Sequence, residues 1–384
     1  MIKLERKENC CGCTACFSAC NHNAITLQND EQGFVYPKFD IDKCVNCGLC
    51  DTVCPTINSY RKNEGYLNIY ALRIKNEDVL KRSSSGGAFY AVASYVITVL
   101  KGVVFGAAYD DNMQVLHTYS ESLEGLKGFH GSKYVQSNIR NVFEKVKGFL
   151  KDGRYVLFSG TPCQVMALRL YLRKDYDHLI LLDIVCHSVS SPKFFKEYIE
   201  YVEKKKKKKL ISLELRNKKY GWSHAFYCMY HFSDGTKMGS DTLRLRDWNR
   251  IFFSGFVTRP SCNECKFTSF ERSGDVTIAD FWDDNNNRPE LRSPLGTSLF
   301  IVSTKKGVEM LQKIKGDVHY WPITEEEAFQ PCLGHPVPVN EQRGSFWEYY
   351  NKHHFVRTYK KYFRGSFIKR ALSKSNDIIK KLFK

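Results

Sequence analysis

The chain has 384 residues, 43% of them hydrophobic and 14% aromatic, which is enough for two or three globular domains. Its longest apolar stretch, Ala88 to Leu100, is too short to span a bilayer and ends at Lys101. The first nine residues are charged and lack the apolar run of a secretory signal. The 15 cysteines are odd in number and cannot all form disulfides, so the composition predicts a protein of the reducing cytosol.

Two copies of the pattern C-x2-C-x2-C-x3-C lie near the N-terminus. In a two-cluster bacterial ferredoxin, three cysteines of each such run bind one [4Fe-4S] cluster and the fourth binds the other. The pattern therefore predicts two crossed ligand sets: Cys10, Cys13, Cys16 and Cys54 around one cluster, and Cys20, Cys44, Cys47 and Cys50 around its twin. A structural zinc uses cysteines in pairs and would leave the third cysteine of each run without a role. We assign residues 1–60 to this domain and expect it to have an α+β, ferredoxin-like fold.

After a polar linker at 58–66, runs typical of strands alternate with runs typical of helices. The predicted strands are 69–74, 102–108, 114–119, 155–159 and 178–185, and the predicted helices are 88–100, 142–150, 164–172 and one that begins at Pro192. This alternation is typical of an α/β core with a largely buried sheet. Shorter runs beyond Leu210 predict added antiparallel strands. We place the core at residues 66–345.

Four further cysteines lie in loops that a parallel sheet would bring to one edge. Cys163 follows the predicted strand 155–159, and Cys186 ends the predicted strand 178–185. Cys262 and Cys265 form a C-x2-C pair. Four thiols meeting there could hold a third [4Fe-4S] cluster or a zinc ion. The alternative is that Cys163 and Cys186 are ordinary core cysteines.

Three polar segments are candidates for binding a cofactor or handling a proton. Ser83 to Gly87 opens a predicted helix, where free amides favour a phosphate, although an ordinary N-cap explains the same residues. The segment 131–136 places Lys133 and Tyr134 beside a glycine, which suits a flavin ring or a phosphate. Asp280 follows an apolar run and is either an acid at a strand end or the carboxylate of a turn.

Basic residues concentrate in two places. Lys204 to Lys209 is a run of six lysines, which we interpret as the solvated end of a helix or a loop. Residues 352–384 carry eleven Lys or Arg against one acid, with apolar side chains between them. This tail, placed at 346–384, is either a basic amphipathic helix on an anionic inner membrane surface or a helix that packs on the body. Because no nucleic-acid module accompanies the net charge of +17, and anionic clusters would offset part of it, we expect no nucleic-acid partner.

In combination, these motifs resemble the coenzyme F-420 hydrogenase/dehydrogenase beta-subunit family. The resemblance extends from the cysteine runs to about Trp282, and it rests on the segments 84–87, 131–136, 160–164, 186–187, 262–265 and 280–282. It implies an FAD beside a [4Fe-4S] cluster in the α/β core, with the cluster held by Cys163, Cys186, Cys262 and Cys265. It also implies that Ser85, Gly86 and Gly87 contact the FAD, with Lys133 near the ring.

The same resemblance leaves Cys11, Cys228 and Cys332 as non-ligands. One residue departs from the family pattern: Ser188 stands where a glycine usually follows the Cys-His pair, which leaves the choice of substrate open.

The resulting prediction is an iron–sulfur flavoprotein oxidoreductase that exchanges electrons with ferredoxin or another redox partner. A bound substrate, for which a deazaflavin coenzyme is one candidate, would react at the FAD. His187 and Asp280 are the candidates for proton handling, with structural hydrogen bonding as the alternative. Similar chains also occur among bacterial proteins of surface polysaccharide biosynthesis. The alternative function is a non-catalytic electron-transfer subunit that feeds a partner enzyme.

Overall fold

The computed structural model describes residues 5–58, 67–282 and 288–364. Its first segment consists of α1 (Ala15–Ala19), β1 (Ile25–Asn29), β2 (Val35–Phe39) and α2 (Leu49–Thr52). β1 and β2 form an antiparallel hairpin, and the Asp30 carboxylate closes its turn by accepting from the amides of Gln32 and Phe34. The segment's own apolar cluster has only Cys16 and Ile25 as buried members in the described chain. So small a unit needs a further stabilising element, which metals commonly provide.

The other strands form one large sheet and one small one. They are β3 (Asn68–Ile74), β4 (Val103–Tyr109), β5 (Val115–Ser120), β6 (Val156–Gly160), β7 (Leu179–Ile184), β8 (Leu210–Glu214), β9 (Met229–Phe232), β10 (Lys237–Gly239), β11 (Val276–Asp280), β12 (Ser298–Val302) and β13 (Val318–Pro322). The large sheet has the order β13-β3-β12-β11-β7-β6-β4-β5. Its four central strands, β11, β7, β6 and β4, are parallel to one another, and the outer ones pair antiparallel.

Helices cover both faces of the large sheet. They are α3 (Glu77–Arg82), α4 (Ala88–Thr98), α5 (Val142–Lys151), α6 (Pro162–Leu172), α7 (Pro192–Lys206), α8 (Trp248–Phe252), α9 (Lys305–Ile314), α10 (Glu325–Ala328) and α11 (Arg343–Tyr362). Alternate residues of β6 point to opposite faces: Leu157 packs with the cluster of α4 and α9, whereas Val156 and Phe158 pack with the cluster of α5 and α6. Both faces of the sheet are therefore buried, as parallel strands require. The predicted α/β core with added antiparallel strands is confirmed, although antiparallel strands also flank the large sheet itself.

The insertion after β7 builds a second core around aromatic side chains. α7 and α8 pack with the small sheet β10-β9-β8, and the hydroxyl groups of Tyr198 and Tyr230 lie 2.7 Å apart inside it. The run Lys204–Lys209 begins within the last turn of α7 and continues to β8. It is therefore the solvated end of a helix, one of the two predicted alternatives.

α11 contains the first part of the predicted basic tail. It begins at Arg343, before the expected start of the tail, and buries Phe346, Phe355 and Tyr359 in the same aromatic core. Up to Phe363 the tail therefore packs on the body, which was the second alternative for it; residues 365–384 lie outside the described residues. Among the residues that the structure describes, no helix has the length and apolarity needed to cross a bilayer.

The N-terminal segment packs on the edge of the sheet where the parallel strands end. Ala15 and Ala19 of α1 join the cluster formed by α5 and α6. On the other side, the Ser191 hydroxyl at the start of α7 donates to the Gln32 carbonyl, and the Lys193 ammonium donates to the Glu31 carbonyl. The segment is thus fixed between the first turns of α6 and α7.

The packing of α11 can be tested by truncating one buried side chain. Phe355→Ala is expected to lower the free energy of unfolding by about 3–5 kcal/mol, because the ring is buried against Phe194 and Tyr201. The neighbouring Val356→Ala, at a position 45% exposed, is the matched control and should change stability little. Urea unfolding measures both variants. Equal effects would show that this side of α11 is not packed on the body.

Candidate functional site

The first group of cysteines surrounds a cavity inside the N-terminal segment. A cavity of about 410 Å³ is lined by Cys10, Cys13, Cys16 and Cys54, together with backbone and apolar residues of the hairpin. Three of these cysteines come from the first run and the fourth from the second. The structure therefore brings together one of the two crossed sets expected from the sequence.

The second group surrounds a cavity of nearly equal size. Cys20, Cys44, Cys47 and Cys50 line about 400 Å³, with Ile25 and Phe39 beneath them. The crossing occurs because Cys20 lies at the end of α1, where the chain leaves the first cavity and turns toward the second. The second crossed set is thus also brought together.

The two cysteine runs share one backbone conformation. Gly12 and Asn46, each just before the second cysteine of its run, have φ of 73° and 52°. Thr14 and Gly48, each just after that cysteine, have φ of 62° and 72°. Such left-handed residues are unfavourable outside glycine and persist where the surroundings impose them. The repeated conformation makes each loop curl around its cavity, so that three thiols face the same point.

The two cavities differ in their exposure to solvent. Cys13 and Cys16 of the first group are buried, whereas Cys47 of the second group is exposed. The exposed apolar side chains Ile41 and Val45, at 75% and 59%, lie in the loop beside Cys47. The second cavity is therefore at the surface, and the first lies between it and the body.

A third group of cysteines meets at the carboxyl edge of the large sheet. Cys163, Cys186, Cys262 and Cys265 line a cleft of about 1090 Å³ that also reaches His187. Cys163 is the second residue of α6, whose start is fixed by a capping box between Thr161 and Gln164. The four cysteines that the resemblance grouped together are therefore neighbours in space.

The chemistry of these thiols favours a positively charged occupant. Burial raises the pKa of the Cys262 thiol to about 12 and that of the Cys265 thiol to about 11. Thiolates are the form that binds iron, and a bound metal restores that form by its charge. In the described parts of the chain, no three His, Cys, Asp or Glu side chains lie close enough to share one metal ion. Thiols spread around a larger volume fit an iron–sulfur cluster better than a zinc ion.

Two cysteines that the sequence analysis left aside lie beside this third group. The Cys11 thiol is within hydrogen-bonding reach of the thiols of Cys13 and Cys163, so it lies between the first and third groups. Cys332 is near Cys186 and Cys265. Cys228, in contrast, is buried in the aromatic core of the insertion. No spacing rule signals Cys11, because its neighbour Cys10 already satisfies the pattern.

The glycines expected to contact FAD have a packing reason of their own. A Cβ at Gly86 would clash with the Leu72 carbonyl and the Ser298 amide, so α4 begins directly against β3 and β12. Gly87 has a φ of 86° and provides no side-chain cap for the helix. The Ser85 hydroxyl donates to the Thr297 carbonyl. The first amides of α4 consequently have no side-chain acceptor and are suited to an anion.

Two lysines lie near the start of α4 and have carbonyl groups as their hydrogen-bond partners. Lys133 donates to the carbonyls of Gly128 and His130, and Lys218 donates to those of Leu80 and Ser85. Burial lowers the pKa of each lysine to about 7. An anion bound beside them would offset this desolvation and restore the charged form. Lys218 belongs to no motif, which is why the sequence analysis missed it.

Asp280 is part of a buried ion pair. Its Oδ2 lies 2.6 Å from Nη1 of Arg216, which also donates to the Tyr134 hydroxyl over 3.3 Å. The guanidinium stacks over Trp222, Phe226 and other aromatic rings, and within the described chain its Nη2 has no partner. The tight pairing favours a counter-charge role for Asp280, the structural alternative, over proton handling.

His187 and Tyr134 meet through a pair of phenylalanines. The Tyr134 ring stacks on Phe252 with centroids 4.6 Å apart, and the His187 ring lies 5.2 Å from the same phenylalanine. Burial lowers the pKa of His187, so its imidazole is neutral at pH 7. His187 lines the cleft of the third cysteine group, which places a proton-exchanging side chain there.

Comparison with known proteins gives the class first. Residues 9–58 match the family model described as a 4Fe-4S dicluster domain. A 55-residue stretch is 39% identical to the pyruvate synthase subunit PorD of Thermotoga maritima, covering 14% of this chain and 52% of that protein. The N-terminal part is therefore an iron–sulfur, electron-transferring domain.

The rest of the chain defines the family. Residues 153–326 match the family model that describes the C terminus of the coenzyme F420 hydrogenase/dehydrogenase beta subunit. Over 376 residues the chain is 22% identical to the F-type subunit of the F(420)H(2) dehydrogenase of Methanosarcina mazei, covering 86% of this chain and 96% of that protein. The chain belongs to the coenzyme F420 hydrogenase/dehydrogenase beta-subunit family.

A solved structure with a similar chain was also found. It is the F420-reducing [NiFe] hydrogenase complex from Methanosarcina barkeri, with a TM-score of 0.48 and 16% identity, covering 77% of this chain and 91% of that chain.

The role of Asp280 can be tested by breaking its ion pair. Asp280→Ala is expected to lower the free energy of unfolding by about 3–5 kcal/mol, because it leaves the Arg216 guanidinium buried without its counter-charge. In the double variant Arg216→Met/Asp280→Leu, most of that loss should be recovered. Urea unfolding of the three proteins decides the matter. A stable Asp280→Ala would remove the counter-charge role and leave Asp280 available for proton transfer.

Proposed function

We propose that the chain is an electron-transferring oxidoreductase subunit with three [4Fe-4S] clusters and an FAD. The observation that carries the proposal is the sequence of three four-cysteine groups, which runs from the exposed end of the N-terminal segment to the carboxyl edge of the sheet. Such clusters, when bound, supply one-electron transfer, and a flavin converts it to two-electron chemistry.

The ligand assignment follows the three groups. Cys20, Cys44, Cys47 and Cys50 would hold the outer cluster, Cys10, Cys13, Cys16 and Cys54 the middle one, and Cys163, Cys186, Cys262 and Cys265 the inner one. Cys11 stays a non-ligand in this scheme and separates the middle group from the inner one. The ferredoxin-like character expected for residues 1–60 is part of the same proposal.

The FAD assignment rests on the anion-suited region at the start of α4. The uncapped amides of α4, with Lys133 and Lys218 beside them, would hold the negatively charged part of the cofactor. Tyr134, stacked on Phe252, and the aromatic group around Arg216 offer flat surfaces for a ring. Gly86 and Gly87 contribute by bringing the helix start close to the sheet rather than through side chains.

Proton handling would fall to His187. Its neutral imidazole can accept a proton at one nitrogen, while Nδ1 lies 3.1 Å from the Ser188 hydroxyl. Ser188 thus contacts the imidazole at the position where the family usually has glycine. Asp280 would act with Arg216 as a charged pair beside Tyr134.

The exposed end suggests how the protein obtains electrons. A ferredoxin or another one-electron carrier would approach the loop of Ile41, Val45 and Cys47, where the outer group reaches the surface. The acceptor would be a flat redox ligand, and a deazaflavin coenzyme is a candidate because the relative's name includes F(420)H(2). The polysaccharide and membrane roles remain predictions from the sequence.

A second candidate is a non-catalytic subunit that only passes electrons to a partner enzyme. It is favoured by the name of the relative, which is one subunit of a dehydrogenase. The isolated chain distinguishes the two: turnover of a small-molecule acceptor supports the oxidoreductase, and cluster reduction without turnover supports the electron-transfer role.

The cluster assignment predicts about twelve irons per chain after anaerobic purification. The double variant Cys262→Ala/Cys265→Ala should retain about eight, because only the inner group loses ligands. The control Cys228→Ala, which removes a buried thiol in the insertion, should keep about twelve. Iron analysis with electron paramagnetic resonance measures the outcome. About eight irons in the unmodified protein would eliminate the inner cluster.

The flavin assignment predicts that Lys133→Met and Lys218→Met weaken FAD binding. Losing one charged hydrogen bond costs about 1.5–3 kcal/mol, or about ten- to hundredfold in Kd. Lys219→Met is the control, since this exposed neighbour pairs with Asp241. Flavin released on denaturation is measured against iron content. FAD retained equally in all three variants would place the flavin elsewhere or exclude it.

A further inference from the structure

Arg259 is a fully buried cation at the junction of the N-terminal segment and the core. Its relative exposure is 0%. Nε donates to the Cys10 carbonyl over 2.9 Å, Nη1 to Gln136 Oε1 over 2.9 Å, and Nη2 to the Val35 carbonyl over 3.0 Å. The guanidinium also lies 4.4 Å from the centre of the Tyr36 ring. These contacts join the first cysteine loop, the hairpin and the core.

No carboxylate in the described residues forms an ion pair with Arg259. Other buried arginines have one: Arg272 pairs with Asp183 at 3.2 Å, and Arg169 pairs with Asp275 at 3.0 Å. A buried charge without a partner costs several kcal/mol. The position of Arg259 therefore implies that negative charge comes from another source.

The nearest groups able to supply that charge are thiols of two different cysteine groups. The electrostatic neighbours of Arg259 are Cys10, Cys11, Cys262 and the Tyr36 phenol. Cys10 belongs to the middle group, Cys262 to the inner group, and Cys11 lies between them. Arg259 itself stands only three residues before Cys262.

We propose that Arg259 is the shared counter-charge of the middle and inner clusters, a positioning residue that raises the reduction potential of both. The inference rests on the proposed function, since it needs clusters at these two sites. A [4Fe-4S] cluster with four thiolates has a net charge of −2 and gains one more negative charge when a one-electron donor reduces it. A cation fixed beside both clusters stabilises each reduced form.

The surroundings hold the guanidinium in one place. A Cβ at Gly12 would clash with the side chains of Gln136 and Arg259, so the cysteine loop lies directly on them. Gln136 in turn donates to the Cys11 carbonyl over 3.3 Å. The outer group has no such contact with Arg259 and serves as an internal reference.

The test is a redox titration of the full-length, anaerobically purified holoprotein, followed by electron paramagnetic resonance with dithionite as reductant. Arg259→Gln removes the charge and keeps a hydrogen-bonding side chain. It should lower the potentials of the middle and inner clusters by at least tenfold in the reduced-to-oxidised ratio at a fixed potential, or 59 mV for one electron. The outer cluster should not change.

Arg343→Gln is the matched control. Arg343 lies at the same junction and donates to the Thr258 carbonyl over 2.8 Å, but its electrostatic neighbours are Tyr36 and carboxylates rather than thiols. Its replacement should leave all three potentials unchanged. Equal shifts in both variants, or no shift with Arg259→Gln, would overturn the proposal.

Two outcomes separate this inference from its premises. An unmodified protein with no inner cluster contradicts the proposed function itself, whatever Arg259 does. If Arg259→Gln loses iron, Arg259→Lys, which keeps the charge, should retain all three clusters with potentials close to those of the unmodified protein. Loss of iron from the lysine variant as well would assign Arg259 to folding alone and overturn the proposal.

Discussion

The contact between α1 and α6 is the constraint on which the spacing of the cysteine groups depends. Ala15 and Ala19 are buried where α1 meets Val165 and Ala167 of α6. The distance between packed helices follows the size of the side chains at their contact, so alanines allow a close approach. Cys16 on α1 and Cys163 on α6 are thereby held on the two sides of one narrow seam. Larger residues in this seam would separate the middle and inner groups without changing a single ligand.

The predictions from sequence succeeded where the determining interactions are local. Each cysteine run spans only a few residues, and its spacing alone predicts which thiols lie together. The alternation of strands and helices likewise predicted the parallel centre of the sheet. The antiparallel pairing of β3 with β12 and β13 was not predictable, because partners more than two hundred residues apart are chosen by tertiary packing.

Residues outside motifs were missed for a different reason. Arg216 and Lys218 have no spacing that signals a site, and their roles arise from burial beside Asp280 and α4. Gly86 shows the opposite error: its motif suggested a direct cofactor contact, whereas the backbone of β3 and β12 already requires glycine there. A motif thus identifies the right segment, and only the packing separates residues that touch a ligand from those that shape its surroundings.

The graded exposure of the three cysteine groups has a consequence for damage by oxygen. Oxidation of cysteine follows its access to solvent, and Cys47 is exposed while Cys13 and Cys16 are covered by the body. A protein with clusters at these sites would lose the outermost one first in air and keep the two deeper ones longer. Its earliest oxidised form would be cut off from external carriers yet intact at its centre. Aerobic damage would therefore silence exchange with partners before it altered the interior chemistry.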